Sequence, residues 1–219
     1  MMTDLAVMPR GDAVAEAGKG MRTDGRNRRA AETRRKIIEA AKAMIEETSE
    51  APTVVGVARR ADVSVRSVFQ HFHDVESLFV TVLDAVRSDL HTPEVPSNSN
   101  KTLEDRIDWV VRELAELFDK IVPLRVAAGQ FVGHPALIER GLTARQELRT
   151  ATLELFAPEF ATLSEAAREE LVDAIGAALS LEAWIVLRRR DELSVERATA
   201  VWKLTLTALL EHGLGTGKA

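Results

Sequence analysis

Apolar residues along this 219-residue chain recur every third or fourth position, and nowhere do they alternate with polar ones for long enough to build a strand. That property confines the chain to helices, and amphipathic helices bury their apolar stripes against one another. Composition agrees, with 46% hydrophobic residues for a core and 29% charged residues for solvated outer faces. Cys is absent, which excludes a disulfide framework, a thiolate metal site and a cysteine nucleophile. That fits a reducing cytoplasm, the expected location. The start carries Asp4, Asp12 and Glu16 around the short apolar run Leu5–Met8 and does not read as a secretory signal. The most apolar stretch, Leu171 to Leu187, contains Asp173 and Glu182, so a buried helix is expected there and a membrane is not an expected partner.

Caps and breakers divide the chain. Residues 1–31 lack apolar periodicity and read as a disordered arm ending in the basic run Arg26-Asn27-Arg28-Arg29. A helix follows from Thr33 to about Glu47–Glu50, before Pro52. Thr53 caps a short helix to about Arg60, and Ser64 caps another from Val65 to Phe72. Asp62, in the turn between them, sits where a left-handed residue is needed. Asp74 caps a fourth helix to about Leu90, and His91 to Lys101 is a loop rich in Pro, Ser and Asn. Thr102 and Asp105 form a capping box for a helix to about Ile121. Pro123 is expected to start another, ended by Gly133. His134-Pro135 opens a segment to Phe156, bent at Gly141. Ser164 caps a long helix to about Arg190, Asp191–Ser194 connects, and a last helix reaches His212 before a frayed tail from Gly213 to Ala219. The expected fold is all-α, with roughly nine helices in three regions: the arm at 1–31, a small helical head at 32–76 and a larger helical domain at 77–219.

The net charge of −5 conceals an asymmetry. Residues 22–73 carry 11 Lys/Arg against 7 Asp/Glu, whereas residues 74–219 carry 16 against 24. The basic part is compact and N-terminal, as an electrostatic footprint on DNA would be. It coincides with three short helices whose second and third are joined by a tight turn, the pattern of a helix-turn-helix. The third helix turns outward Arg66, Ser67, Gln70 and His71, residue types that reach base edges and phosphates in a major groove.

The residues themselves resemble a family. The stretch Thr53-Val54-x-x-Val57-Ala58-x-x-Ala61-Asp62-Val63-Ser64-x-x-x-Val68-Phe69-x-His71-Phe72-x-x-x-Glu76-x-Leu78, preceded by Ile37-Ile38-x-Ala40-Ala41, is similar to the signature of tetracycline-repressor (TetR) family regulators. The resemblance covers about residues 33–85. It implies an N-terminal DNA-binding head on a larger C-terminal ligand-binding and dimerisation domain. The protein would be a homodimeric repressor, released from operator DNA by a small-molecule effector of unknown identity. Carried over by position, Val65, Arg66 and Gln70 face bases, while Thr53, Ser67, Phe69 and His71 lie along phosphates, with Ser64 beside them at the helix start. Three departures weaken phosphate contact: Phe69 stands for the usual Tyr, Asp62 for the usual Gly and Val75 for the usual Lys.

Other features admit two readings. Arg26 to Arg29 is either an arm for a narrow minor groove or a solvated tail. Trp109, Phe118, Phe131, His134 and Trp184 are either walls of an effector pocket or plain core. The last two helices, through Ile175, Ala178, Glu182, Trp202, Leu206 and Leu209, either build a four-helix interface with a second copy or close an intramolecular core. A helical protein controlled by a protein partner, with no small-molecule effector, is the alternative to a ligand-released repressor. His71-x-His73-Asp74 is a poor chelate, because residues two apart on a helix diverge, so no metal is expected. Gly213 to Lys218 imitates a phosphate loop but has no helix after it. Arg188 to Arg190 suits a helix C-terminus. No His lies in a catalytic setting, so neither an enzyme nor a cofactor is expected.

Overall fold

The computed structural model describes residues 13–90 and 101–216, with side chains from residue 25. The first twelve residues of the expected arm, most of the 91–101 loop and the end of the tail lie outside the described residues. The described residues are helical throughout, without a strand. Helix α1 spans Ala13–Thr48, α2 Val54–Arg60, α3 Val65–His71 and α4 Val75–Asp89. Helix α5 spans Leu103–Ala127 and leads through a 3-10 turn into α6, Pro135–Leu155. The short α7 is Ala157–Phe160; α8 is Glu165–Ala178, α9 Leu181–Ile185 and α10 Val195–Thr216. No helix among the described residues is long and apolar enough to cross a membrane.

Local hydrogen bonds explain most of these boundaries. The side chains of Thr53, Ser64, Asp74, Thr102 and Ser164 each accept the backbone N–H three residues on, at the start of α2, α3, α4, α5 and α8. Asp74 with Ser77, and Thr102 with Asp105, close reciprocal capping boxes.

Five elements differ from the sequence reading. Helix α1 begins at Ala13, well before Thr33, so residues 13–31 of the expected disordered arm are helical. The stretch carries five Ala and four Arg and no Pro, and its three glycines do not break the helix. Pro123 does not start a helix: it sits inside α5, which runs on to Ala127. A proline there removes one backbone hydrogen bond, but its neighbours Val122 and Leu124 are 3% and 2% exposed, and their burial holds the helix through the defect. Helix α6 is continuous through Gly141, while α10 runs on to Thr216, so residues 213–216 of the expected frayed tail are helical. The long helix expected from Ser164 to Arg190 is instead interrupted at Leu179–Ser180. There the Ser180 hydroxyl accepts the Ala183 N–H at 3.1 Å and starts α9. A π-helical turn, Val186–Arg190, then ends the segment, with the Asp191 N–H reaching the Val186 carbonyl at 3.0 Å.

Two apolar clusters organise the chain. The first joins Ile37, Ala41 and Ile45 of α1, Val57 and Val68 of α2 and α3, and Leu78, Phe79, Val82 and Val86 of α4. Leu124 and Ala127, at the end of α5, belong to it as well. The second is built by α5, α8 and α10 around Trp184, Trp202, Phe156 and Leu206. Helix α5 thus serves both clusters, and Pro123 marks the passage between them. Salt bridges along α4 tie it to α6: Arg140 holds Asp84 at 2.6 Å and Arg87 holds Glu147 at 2.5 Å. One buried ion pair locks the far corner. Arg106, 4% exposed, grips Glu159 with both guanidinium nitrogens, at 2.5 and 2.8 Å, and donates to the Leu155 carbonyl at 2.7 Å.

Candidate nucleic-acid interface

The outer surface of α2 and α3 is set by what holds them in place. Gly56 faces α1, where a Cβ would lie 2.6 Å from the Met44 Cε and would push that flexible side chain aside. At the other end of α2 the chain turns through Asp62, whose φ is +56°. The Val63 N–H reaches the Ala58 carbonyl at 3.0 Å and the Asp62 N–H the Arg59 carbonyl at 3.4 Å, the bond pair of a Schellman turn. Ser64 then caps α3, accepting the Ser67 N–H at 3.0 Å. The hydroxyls of Thr53 and Ser64 act as acceptors in their caps, so each keeps an O–H free to donate outward.

Helix α3 is anchored on one side by Val68 and, just past its end, by Phe72. Its opposite side carries Val65, Arg66, Phe69 and Gln70, all exposed, with Ser67 and His71 half-buried at the edges. Arg66 and Gln70 stand one turn apart, so they project from one face. Arg66 forms no ion pair among the described residues, whereas Arg60 is held by Glu47 through two hydrogen bonds of 2.6 Å. Phe69 is 52% exposed and Val55, on α2, is 68% exposed, so the polar groups stand beside apolar surface. Two cations that the sequence reading did not single out lie close by. Arg59 is exposed at the end of α2, and the Arg34 guanidinium lies 5.0 Å from the centre of the Phe72 ring. A cation on a helix opposite an aromatic at the end of another is a tertiary pairing, and no local pattern signals it. An open cleft of about 410 Å³ between α1 and α2 is lined by Arg35, Lys36, Glu39 and Arg60.

The five residues considered as pocket walls do not surround one cavity. Phe118 packs edge-on against Trp202, with ring centres 5.8 Å apart, and Trp184 meets Trp202 at 4.5 Å. Trp109 is half-buried at the rim of that second cluster. Phe131 instead packs on Phe79 of the first cluster at 4.9 Å. His134, at the start of α6, points its Nε2 toward Glu76 of α4 at 3.8 Å. Trp184 and Trp202 are completely buried, yet neither indole N–H finds an acceptor among the described residues. A second open cleft, of about 340 Å³, lies on the outside of α6, α7 and α8 and is lined by Leu153, Ala157, Phe160, Ala161 and Arg168.

The six residues considered for a subunit interface also divide. Ile175, Trp202 and Leu206 are between 0% and 2% exposed and use their surface on the chain's own core. Ala178 and Leu209 are half-buried, and Glu182 is exposed and pairs with Arg125 at 3.1 Å. The outward face of α10 is a different row, Ala200, Leu204 and Ala208, with Leu204 72% exposed, and Ala177 of α8 is exposed as well. Helical spacing alone could have located that row, on the side of the helix opposite Trp202, Leu206 and Leu209. No protein-family model matches this chain, and no curated protein matches it.

Proposed function

We propose that this protein is a sequence-specific DNA-binding transcriptional regulator of the tetracycline-repressor type, whose helix-turn-helix is formed by α2 and α3. The observation that carries the reading is the exposed face of α3. Arg66, without an ion pair among the described residues, stands one turn from Gln70, with capping hydroxyls at both helix starts. Together they form a surface of major-groove readers and phosphate donors. The basic charge gathered in residues 22–73 of an otherwise acidic chain supports it. In this reading the protein is a homodimeric repressor whose outward α8–α10 face meets a second copy. Selection of bound duplexes from a random pool is the test, and recovery of no common sequence would overturn the proposal.

Release by a small molecule is the regulatory half of the reading. The two buried indole N–H groups of Trp184 and Trp202 support it, since a buried donor without an acceptor is disfavoured by about 1–3 kcal/mol. A ligand carrying a hydrogen-bond acceptor on an apolar body would relieve that penalty. Control by a protein partner is favoured by a different observation: the open cleft between α1 and α2 and the one outside α6, α7 and α8 are lined by neither Trp184 nor Trp202. Tryptophan emission separates the two, because a ligand bound at the pair shifts it and a partner on the outer surface does not.

A further inference from the structure

We infer that the N-terminal half of α1 is a second DNA-contacting element, a basic helix that rests on phosphates beside the groove entered by α3; the inference presupposes the regulator reading above. Helix α1 is continuous from Ala13 to Thr48, and among its described side chains the first buried one is Ile37. No side chain from Gly25 to Lys36 is buried, so that stretch has no core to serve. It carries Arg26, Arg28, Arg29, Arg34 and Arg35, none of them in an ion pair with a described side chain, while Lys36 meets Glu32 only at 3.9 Å. Arg26 and Arg29 share a helix face, and like charges at that spacing disfavour the helix unless an anion lies between them. The rest of the chain is acidic, so these cations do not set its solubility.

Position points to the same partner. Arg34 stacks on Phe72, the residue that ends α3. At about 1.5 Å per residue, Arg29 and Arg26 lie about 8–12 Å farther along the axis. The major groove is about 12 Å wide, so the backbone at its rim lies about 6 Å from a helix seated in it, and groups about 8–12 Å beyond Arg34 fall past that rim, at the flanking phosphates. The helical state also decides between base reading and phosphate binding. A helix with its side chains is about 10–12 Å across, whereas the minor groove is about 6 Å wide. The basic run therefore cannot thread the minor groove as an extended arm would, and its guanidinium groups meet phosphate oxygens.

The test is a salt titration of the full chain on a random-sequence duplex and on a duplex recovered by selection. Replacing Arg26, Arg28 and Arg29 together by Ala should make the slope of log affinity against log salt shallower by about 0.9 for each phosphate no longer neutralised, and equally on both duplexes. Replacing the same three by Lys should keep the wild-type slope, since a phosphate accepts either cation, and circular dichroism should show unchanged helicity in both variants. An unchanged slope in the Ala variant, with binding otherwise intact, overturns this inference alone and makes the run a solvated face. A Lys variant that alters base preference in the flanking sequence overturns it in favour of minor-groove reading. Failure of the unmodified chain to bind any duplex overturns both this inference and the regulator reading.

Discussion

Arg66 and Gln70 are the residues on which sequence discrimination by α3 would rest, because both are exposed. Arg66→Ala and Gln70→Ala should each weaken binding to the selected duplex by about 1–3 kcal/mol, with a smaller loss on random DNA. Equal losses on the two duplexes would move both residues to the phosphate backbone. Arg106 makes the opposite kind of contribution. Its bidentate pair with Glu159 is buried, so Arg106→Ala leaves a carboxylate without its counter-charge and should destabilise the fold by about 3–5 kcal/mol. The double replacement Arg106→Met with Glu159→Leu should recover much of that loss, since it removes both charges. Denaturant melts of the three proteins measure the difference, and a double variant no better than the single one would show that the pair contributes more than charge balance.

Among the elements, α4 links the head to the rest of the chain, and its start is sensitive to acid. Hydrogen bonds from the Ser77 backbone N–H and then the Ser77 hydroxyl hold the Asp74 carboxyl below its ordinary range. A carboxyl depressed on folding stabilises the native state above its unfolded pKa, and that contribution is lost as pH falls through the folded value. Asp74→Asn keeps a capping oxygen but does not titrate. The native protein should therefore melt above the variant at pH 7, and the gap should narrow progressively as the pH falls below the ordinary Asp value of about 3.9. Thermal melts followed by circular dichroism read the gap directly, and a gap independent of pH would mean that the charge at this cap contributes nothing. Asp105, lowered by the Thr102 hydroxyl and then its backbone N–H, adds the same sign at the start of α5 and cancels in the comparison.

For the whole molecule, the proposed dimer must set two α3 helices about 34 Å apart, or a multiple of that, to use successive major grooves. The outward row of α10 is the surface free to do so. Leu204→Glu should leave the subunit folded, because the side chain is already 72% exposed. It should split the dimer and with it the tight binding of a two-site duplex, since a charge buried in a partner interface is disfavoured by several kcal/mol. Trp202→Glu, at a position 1% exposed, should unfold the subunit instead. Light scattering beside DNA titration distinguishes these outcomes. A folded Leu204→Glu protein that remains dimeric would mean that the interface lies elsewhere.

What could be read without coordinates was whatever a few neighbouring residues decide among themselves. The caps at Thr53, Ser64, Asp74, Thr102 and Ser164 and the left-handed turn at Asp62 depend on bonds spanning three to five residues. The helical class, the head's short helices and the residues turned outward on α3 followed from the same local rules. Tertiary packing decided the rest. Pro123 stays inside α5 because burial on both sides outweighs the lost hydrogen bond. Leu171 to Leu187 is apolar over more than one face, so periodicity did not reveal which face turns inward or that Ser180 starts a new helix. The splitting of Phe131 and His134 from Trp184 likewise depends on which helices meet. The pairing of Arg106 with Glu159 joins residues far apart in the chain, and only the packing of α5 against the α6–α7 corner brings the two charges together.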